Sequence, residues 1–102
     1  MPDRLSRTDA QKKLRFCLDR GTVEQHPHFK KALHDDGLDY VSALPILKTG
    51  CIYDEPEFDP RFQQWRYKIE GREVDGRWLA IVFCFPEPSD TLLITAFVVK
   101  NR

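Results

Sequence analysis

From Gln64 onward the chain alternates: Trp65, Tyr67 and Ile69 fall on one side of an extended segment, and Gln64, Arg66, Lys68 and Glu70 on the other. That is the period of a strand with one face in water. Asp75-Gly76 follows, a dipeptide favoured in tight hairpins. Two apolar runs come next, Trp78 to Phe85 and "TLLITAFVV", which carry no charge on either face. Such runs belong to strands covered on both sides. Together the three segments predict an antiparallel meander, the alternating strand nearer an edge and the two apolar strands inside. Both faces of the inner pair need cover, so a returning helix, a partner subunit or a bound protein is expected on the side that the helices leave open.

Before Gly50 the apolar period is helical. "RTDAQKKLRFCLDRG" has capping-box spacing at Thr8 and Gln11, a stripe of Leu14, Cys17 and Leu18, and Gly21 to take a left-handed C-terminal position. "HPHFKKALHDDG" predicts a short helix with Pro27 in its first turn, Phe29, Ala32 and Leu33 buried, and Gly37 closing it. "DYVSALPILKTG" predicts a third, opened by Asp39, burying Tyr40 or Val41 with Leu44 and Leu47, shortened or kinked at Pro45 and ended by Gly50. "CIYDEPEFDPRF" reads as an acidic loop. The expectation is an α+β fold of one domain over 1–102, helical over about 6–50, with an antiparallel sheet over about 62–100.

Composition sets limits on function. With 102 residues, 41% of them hydrophobic, the chain can bury a core without metal or disulfide staples. Cys17, Cys51 and Cys84 are odd in number and far apart, which fits small buried thiols in a reduced cytoplasm better than a disulfide framework or zinc ribbon. The uncharged run at 78–86 is too short to span a bilayer, and the charged N-terminus has no signal-peptide core, so no membrane is expected. Net charge is zero, but residues 1–20 carry six Lys/Arg against three acids, 21–60 three against eight, and 61–102 seven against five. A local phosphate-facing patch and a merely solvated surface both fit that gradient.

Candidate chemistry follows from the side chains. His26, His28 and His34 lack the spacing of a metal site, and neither a metal nor a cofactor is expected; His28 or His34 can titrate near neutrality and move protons. Asp54, Glu55, Glu57 and Asp59 lack the calcium-loop pattern and read as a solvated acidic loop. Arg66 and Lys68 share a strand face, Arg72 and Arg77 flank the hairpin, Lys100 and Arg102 end the chain, and Trp65, Tyr67 and Trp78 are interleaved. Such a surface suits an RNA backbone and a splayed base, its cations stabilising the transition state of 2′-OH attack on phosphate.

The sequence from "HFKKALHDDGLDYVSALPILKTG" through "RYKIEGREVDGRWLAIVFCF" to "LLITAFVVK" resembles a bacterial domain-of-unknown-function family, number 4258. His28, Tyr67, Gly71, Asp75, Gly76 and Arg77 match its pattern. More distantly, "LDRGTVEQHPHFKKALHDDGLD" resembles the start of the motility quorum-sensing regulator toxins, mRNA interferases that pair with antitoxins. The resemblance implies a RelE-type or barnase-like ribonuclease fold. It puts Gln64 at the interferases' strand glutamine and Lys100 at their C-terminal basic residue. Trp78 falls where they carry a catalytic tyrosine, and their loop lysine has no counterpart in "YDEPEFDPRF".

Residues and resemblance together lead to a toxin-like, metal-independent endoribonuclease or a descendant of one. Its expected catalytic residues are His28, Tyr67 and Lys100, and its expected RNA-binding residues are Gln64, Arg66, Lys68, Arg72, Arg77 and Trp78. An RNA substrate, an antitoxin and a homodimer are the expected partners. The rival reading is a non-catalytic interaction module whose apolar strands pair with another chain, and a third is a small-molecule pocket lined by Trp65 and Trp78.

Overall fold

The computed structural model describes residues 3–100. In chain order the elements are α1 (Arg7–Arg20), β1 (Thr22–Gln25), α2 (Pro27–Asp35), α3 (Tyr40–Thr49), β2 (Glu57–Asp59), β3 (Gln64–Arg72), β4 (Trp78–Glu87) and β5 (Asp90–Val99). They form one five-stranded sheet in the order β1-β5-β4-β3-β2. The α+β class expected from the sequence is therefore observed, and β3, β4 and β5 form the antiparallel meander.

The sheet is nonetheless mixed, because β1 runs parallel to β5. Its four residues, between two helices, are too few to show a period of two, which is why the sequence reading placed no strand there. With β1 outside β5 and β2 outside β3, both apolar strands are interior, and β3 is second from the edge.

All three helices cover one face. Ala10, Leu14 and Cys17 of α1, Phe29 and Leu33 of α2, and Ala43, Ile46 and Leu47 of α3 join Tyr67, Ile69, Leu79, Ile81, Phe83, Phe85 and Leu93 in one core. The caps follow the local sequence with one shift. Ser6, not Thr8, caps α1, accepting from the Asp9 N–H at 3.1 Å, while Asp39 caps α3 by accepting from Ser42 N–H at 3.0 Å. In α3 the buried side chains are Ala43, Ile46 and Leu47; Val41 is exposed, and Pro45 sits on the outer surface of a helix that continues past it to Thr49.

Two glycines differ in what they do. Gly37 has φ +71°, the left-handed position expected after α2. Gly21 is extended, not left-handed (φ −107°, ψ −152°). It is needed for room: a Cβ there would lie 1.9 Å from the carbonyl oxygen of Ser89, which accepts the Thr22 N–H at 2.9 Å and so starts β1 beside β5.

The other face of the sheet is covered in part by the chain itself, and Phe97 on it stays 43% exposed. Residues 51–59 run along the outer edge of β3, and Phe62 packs on the apolar side chains of this face. Cys51 and Glu70 exchange backbone hydrogen bonds at 2.9 Å each, tying the segment's start to β3. At its far end Phe62, like Leu92, packs on the cluster of Val82, Cys84 and Ile94. Leu79 through Phe85 are consequently all buried, as the two-sided apolar run requires.

Candidate functional site: a cleft on the helix-free sheet face

Residues directly opposite in an antiparallel pair share a face. The register therefore places Lys68, Val82 and Thr95 in one row, Glu70, Ala80 and Phe97 in the next, and Arg72, Trp78 and Val99 in a third, all turned from the helices. Arg66, two residues before Lys68, lies on the same face. Beside residues 54–57 this face holds a cleft of about 260 Å³. Its floor includes Val82, Thr95 and Phe97, and its walls carry Arg66 and Lys68 on one side and Asp54, Glu55 and Glu57 on the other. Phe97 is 43% exposed.

Each cation there is held by carboxylates. Lys68 Nζ lies 2.8 Å from Asp54 Oδ2 and 4.0 Å from Glu70 Oε2, and it sits 5.9 Å from the centroid of the Phe97 ring. Arg66 Nη2 lies 2.9 Å from Glu57 Oε2, and its Nη1 lies 3.5 Å from Asp59 Oδ2. Asp59 is buried, and its carboxylate accepts from the Arg61 backbone N–H at 2.9 Å and from Arg61 Nη2 at 3.0 Å. The Arg61 hydrogen bonds, with the charge of Arg66 added, hold its carboxyl below the ordinary aspartate range despite burial. Arg66 is thus anchored from behind by Asp59 and covered in front by Glu57.

Glu70 departs from the sequence reading, which set it on the wet face with Arg66 and Lys68. It is 1% exposed, and its Oε1 accepts from Trp78 Nε1 at 3.0 Å. The Trp78 ring in turn lies beside Tyr53, with centroids 6.3 Å apart. The 51–62 segment closes this end of the face, and Phe62 closes the other.

The remaining residues singled out in the sequence lie elsewhere. Tyr67 is in the helix-side core, 3% exposed, between Phe83 and Phe85, and its hydroxyl accepts the Leu5 N–H at 3.0 Å. Burial pushes its phenol above the ordinary range, against the opposing Leu5 hydrogen bond. His28 is exposed near the start of α2, where its N–H is bonded to Nδ1 of His26, the helix cap. Arg72 donates to Gly76 O at 2.9 Å and stacks over Trp78, and Arg77 donates to Asp36 O at 3.0 Å and pairs with Glu73. Lys100 is exposed just beyond β5.

Gln64 lines a different cleft of about 270 Å³ with Trp65, Phe85 and Lys13. Trp78 is not among the residues of that cleft, so the two tryptophans do not form one pocket. Cys51 is exposed, unlike the buried Cys17 and Cys84. Among the described residues no three His, Cys, Asp or Glu side chains converge as a metal site would require, and no helix is long and apolar enough to cross a membrane.

Of the expected set, Arg66, Tyr67 and Lys68 line this cleft, Tyr67 with its ring and hydroxyl in the helix-side core; the fold adds Thr95, Phe97, Asp54 and Glu57, which sequence reasoning left out of the site. The signal was there in part: four acids in "DEPEFD" precede a strand whose alternate positions carry Arg66 and Lys68. Compared with family models, with curated proteins and with solved structures, the chain matches none.

Proposed function

We propose that this chain is a toxin-like, metal-independent endoribonuclease, or a descendant of one, whose RNA-binding surface is the helix-free face of the sheet. The observation that carries the reading is the placement of Arg66 and Lys68, two residues apart on one strand face, in a cleft with an accessible aromatic ring, Phe97. Two cations with fixed backbones suit a phosphodiester, and a half-exposed ring suits an unstacked base. The resemblance read from the sequence would give such an enzyme an antitoxin as its partner, and the three unpaired cysteines suit a reduced cytoplasm.

In this proposal Arg66 and Lys68 hold the scissile phosphate and stabilise the charge that builds on it during attack by the adjacent 2′-OH. Proton transfer belongs to groups in the same cleft, since Tyr67 is on the opposite side of the sheet and His28 is on a helix of the opposite layer. Carboxylates already fill the cation sites, so RNA must displace Asp54 and Glu57. The carboxylates are exposed, 72% for Glu57 and 58% for Asp54, while Arg66 and Lys68 are half-buried, so displacement costs on the order of 1 kcal/mol per pair.

The test is expression of the wild type and of an Arg66→Ala/Lys68→Ala variant, following growth and mRNA integrity, with purified proteins assayed in a metal chelator. The wild type should arrest growth and cut RNA with chelator present, and the variant should do neither. Equal cleavage by both proteins would remove the site from this face.

A further inference from the structure

We infer that Glu57 is the general base of this cleft, the group that takes the 2′-hydroxyl proton; the inference rests on the reading above. The cleft and its surroundings offer four carboxylates on the 54–59 segment, all four ion-paired, and they differ in what holds them. Glu55 is drawn away by Arg4, at 2.7 Å, and Arg7, at 3.4 Å. Asp59 has a side chain only 2% exposed and is enclosed by Arg61, so no substrate oxygen can reach it. Asp54 is ion-paired with Lys68 at 2.8 Å, in a stretch with no regular backbone pairing of its own.

Glu57, itself ion-paired with Arg66, differs in its backbone and its exposure. It belongs to β2 and is paired in register directly across from Arg66, so the sheet fixes its backbone. Its side chain is 72% exposed, and its Oε2 touches the guanidinium assigned to the phosphate. A carboxylate in contact with a phosphate-binding cation lies, when phosphate takes that cation, within reach of the hydroxyl beside the phosphorus, which is the geometry that general-base catalysis needs.

The step balances without a metal. The Glu57 carboxylate accepts the 2′-OH proton, the 2′-oxygen bonds to phosphorus, and the bond from phosphorus to the 5′-oxygen breaks. The leaving 5′-oxygen takes a proton from the Lys68 ammonium. The products are a 2′,3′-cyclic phosphate and a 5′-hydroxyl, and solvent water returns Glu57 and Lys68 to their starting protonation.

Glu57→Gln separates two roles by opposite signs. As a competing counter-ion alone, Glu57 would slow RNA entry, and its neutralisation would leave cleavage equal or faster. As general base, its neutralisation removes the proton acceptor. The experiment measures binding with an uncleavable 2′-O-methyl oligonucleotide and single-turnover cleavage with the matching RNA. Expected for Glu57→Gln are binding at least as tight as wild type and a cleavage rate lower by about 10²–10⁴-fold. A wild type that cleaves together with a variant that cleaves as fast or faster overturns the assignment of Glu57 alone. A well-folded wild type that cleaves no RNA overturns the ribonuclease reading and this inference with it.

Discussion

Tyr67→Phe tests whether the tyrosine of β3 works in packing or in chemistry. The ring stays in place, so its contacts with Phe83 and Phe85 persist, and what is lost is the acceptor of the Leu5 N–H at 3.0 Å. A hydrogen bond of this kind is worth about 0.5–1.5 kcal/mol net, and an orphaned donor costs about 1–3 kcal/mol when fully buried. Leu5 is only partly buried, so water can satisfy part of the demand, and a loss of about 1 kcal/mol is expected. For a domain of this size that lowers Tm by about 4–8 °C. Thermal melting by circular dichroism measures the shift, and RNA cleavage by the same preparation measures function. The expected result is a lower Tm with the cleavage rate retained below the melting range. A variant with unchanged Tm and abolished cleavage would refute the packing role and return the hydroxyl to the reaction.

Other outcomes follow from single contacts. Asp59 has a folded pKa below its ordinary value near 3.9, so its contribution to stability is fully present above that value and fades as pH falls from there through the folded value. Asp59→Asn should therefore be less stable than wild type at pH 7, by about 1–3 kcal/mol for a buried hydrogen-bonded charge, with the gap narrowing below about pH 4 in parallel urea titrations; a pH-independent gap would contradict this. Gly21→Ala should lower stability by about 1–3 kcal/mol, because the added Cβ meets the Ser89 carbonyl at 1.9 Å and β1 must shift; an unchanged urea midpoint would show that β1 is not held there. Phe97→Ala should weaken binding of a 2′-O-methyl oligonucleotide by about 1–3 kcal/mol with little change in Tm, since the ring is 43% exposed; a large loss of Tm with unchanged binding would make it a core residue.

Periodicity carried the fold further than the site. Alternation in β3, the uncharged runs of β4 and β5, and the Pro27, Gly37 and Asp39 signals are local, so each could be read from neighbours in sequence. What escaped is what depends on distant contacts. Thr22–Gln25 becomes a strand because β5 offers a parallel edge and Gly21 admits Ser89; neither condition is visible within four residues. Glu70 alternates with the wet positions yet is buried, since Tyr53 and Trp78 arrive from 17 residues before it and 8 after it.

The same limit shaped the candidate site. Alternation put Arg66 and Lys68 on one face and Tyr67 on the other, a separation that the structure retains. Nothing in the one-dimensional pattern says that an acidic segment reading as a solvated loop lies across those cations. Only the bridge of Cys51 to Glu70 and the β2–β3 pairing bring Asp54 and Glu57 there. Arg72 and Arg77, basic residues on a hairpin, are spent on carbonyls of the fold itself.

The most direct test of the central claim is a two-dimensional ¹H–¹⁵N NMR titration of the wild type with a 2′-O-methyl oligonucleotide, which binds as RNA does but lacks the attacking hydroxyl. Saturating shifts are expected at Glu57, Arg66, Lys68, Thr95 and Phe97, with the outer surface of α1 around Lys12 and Arg15 unmoved. Shifts confined to that helix surface, or none at all with a folded protein, would contradict the claim.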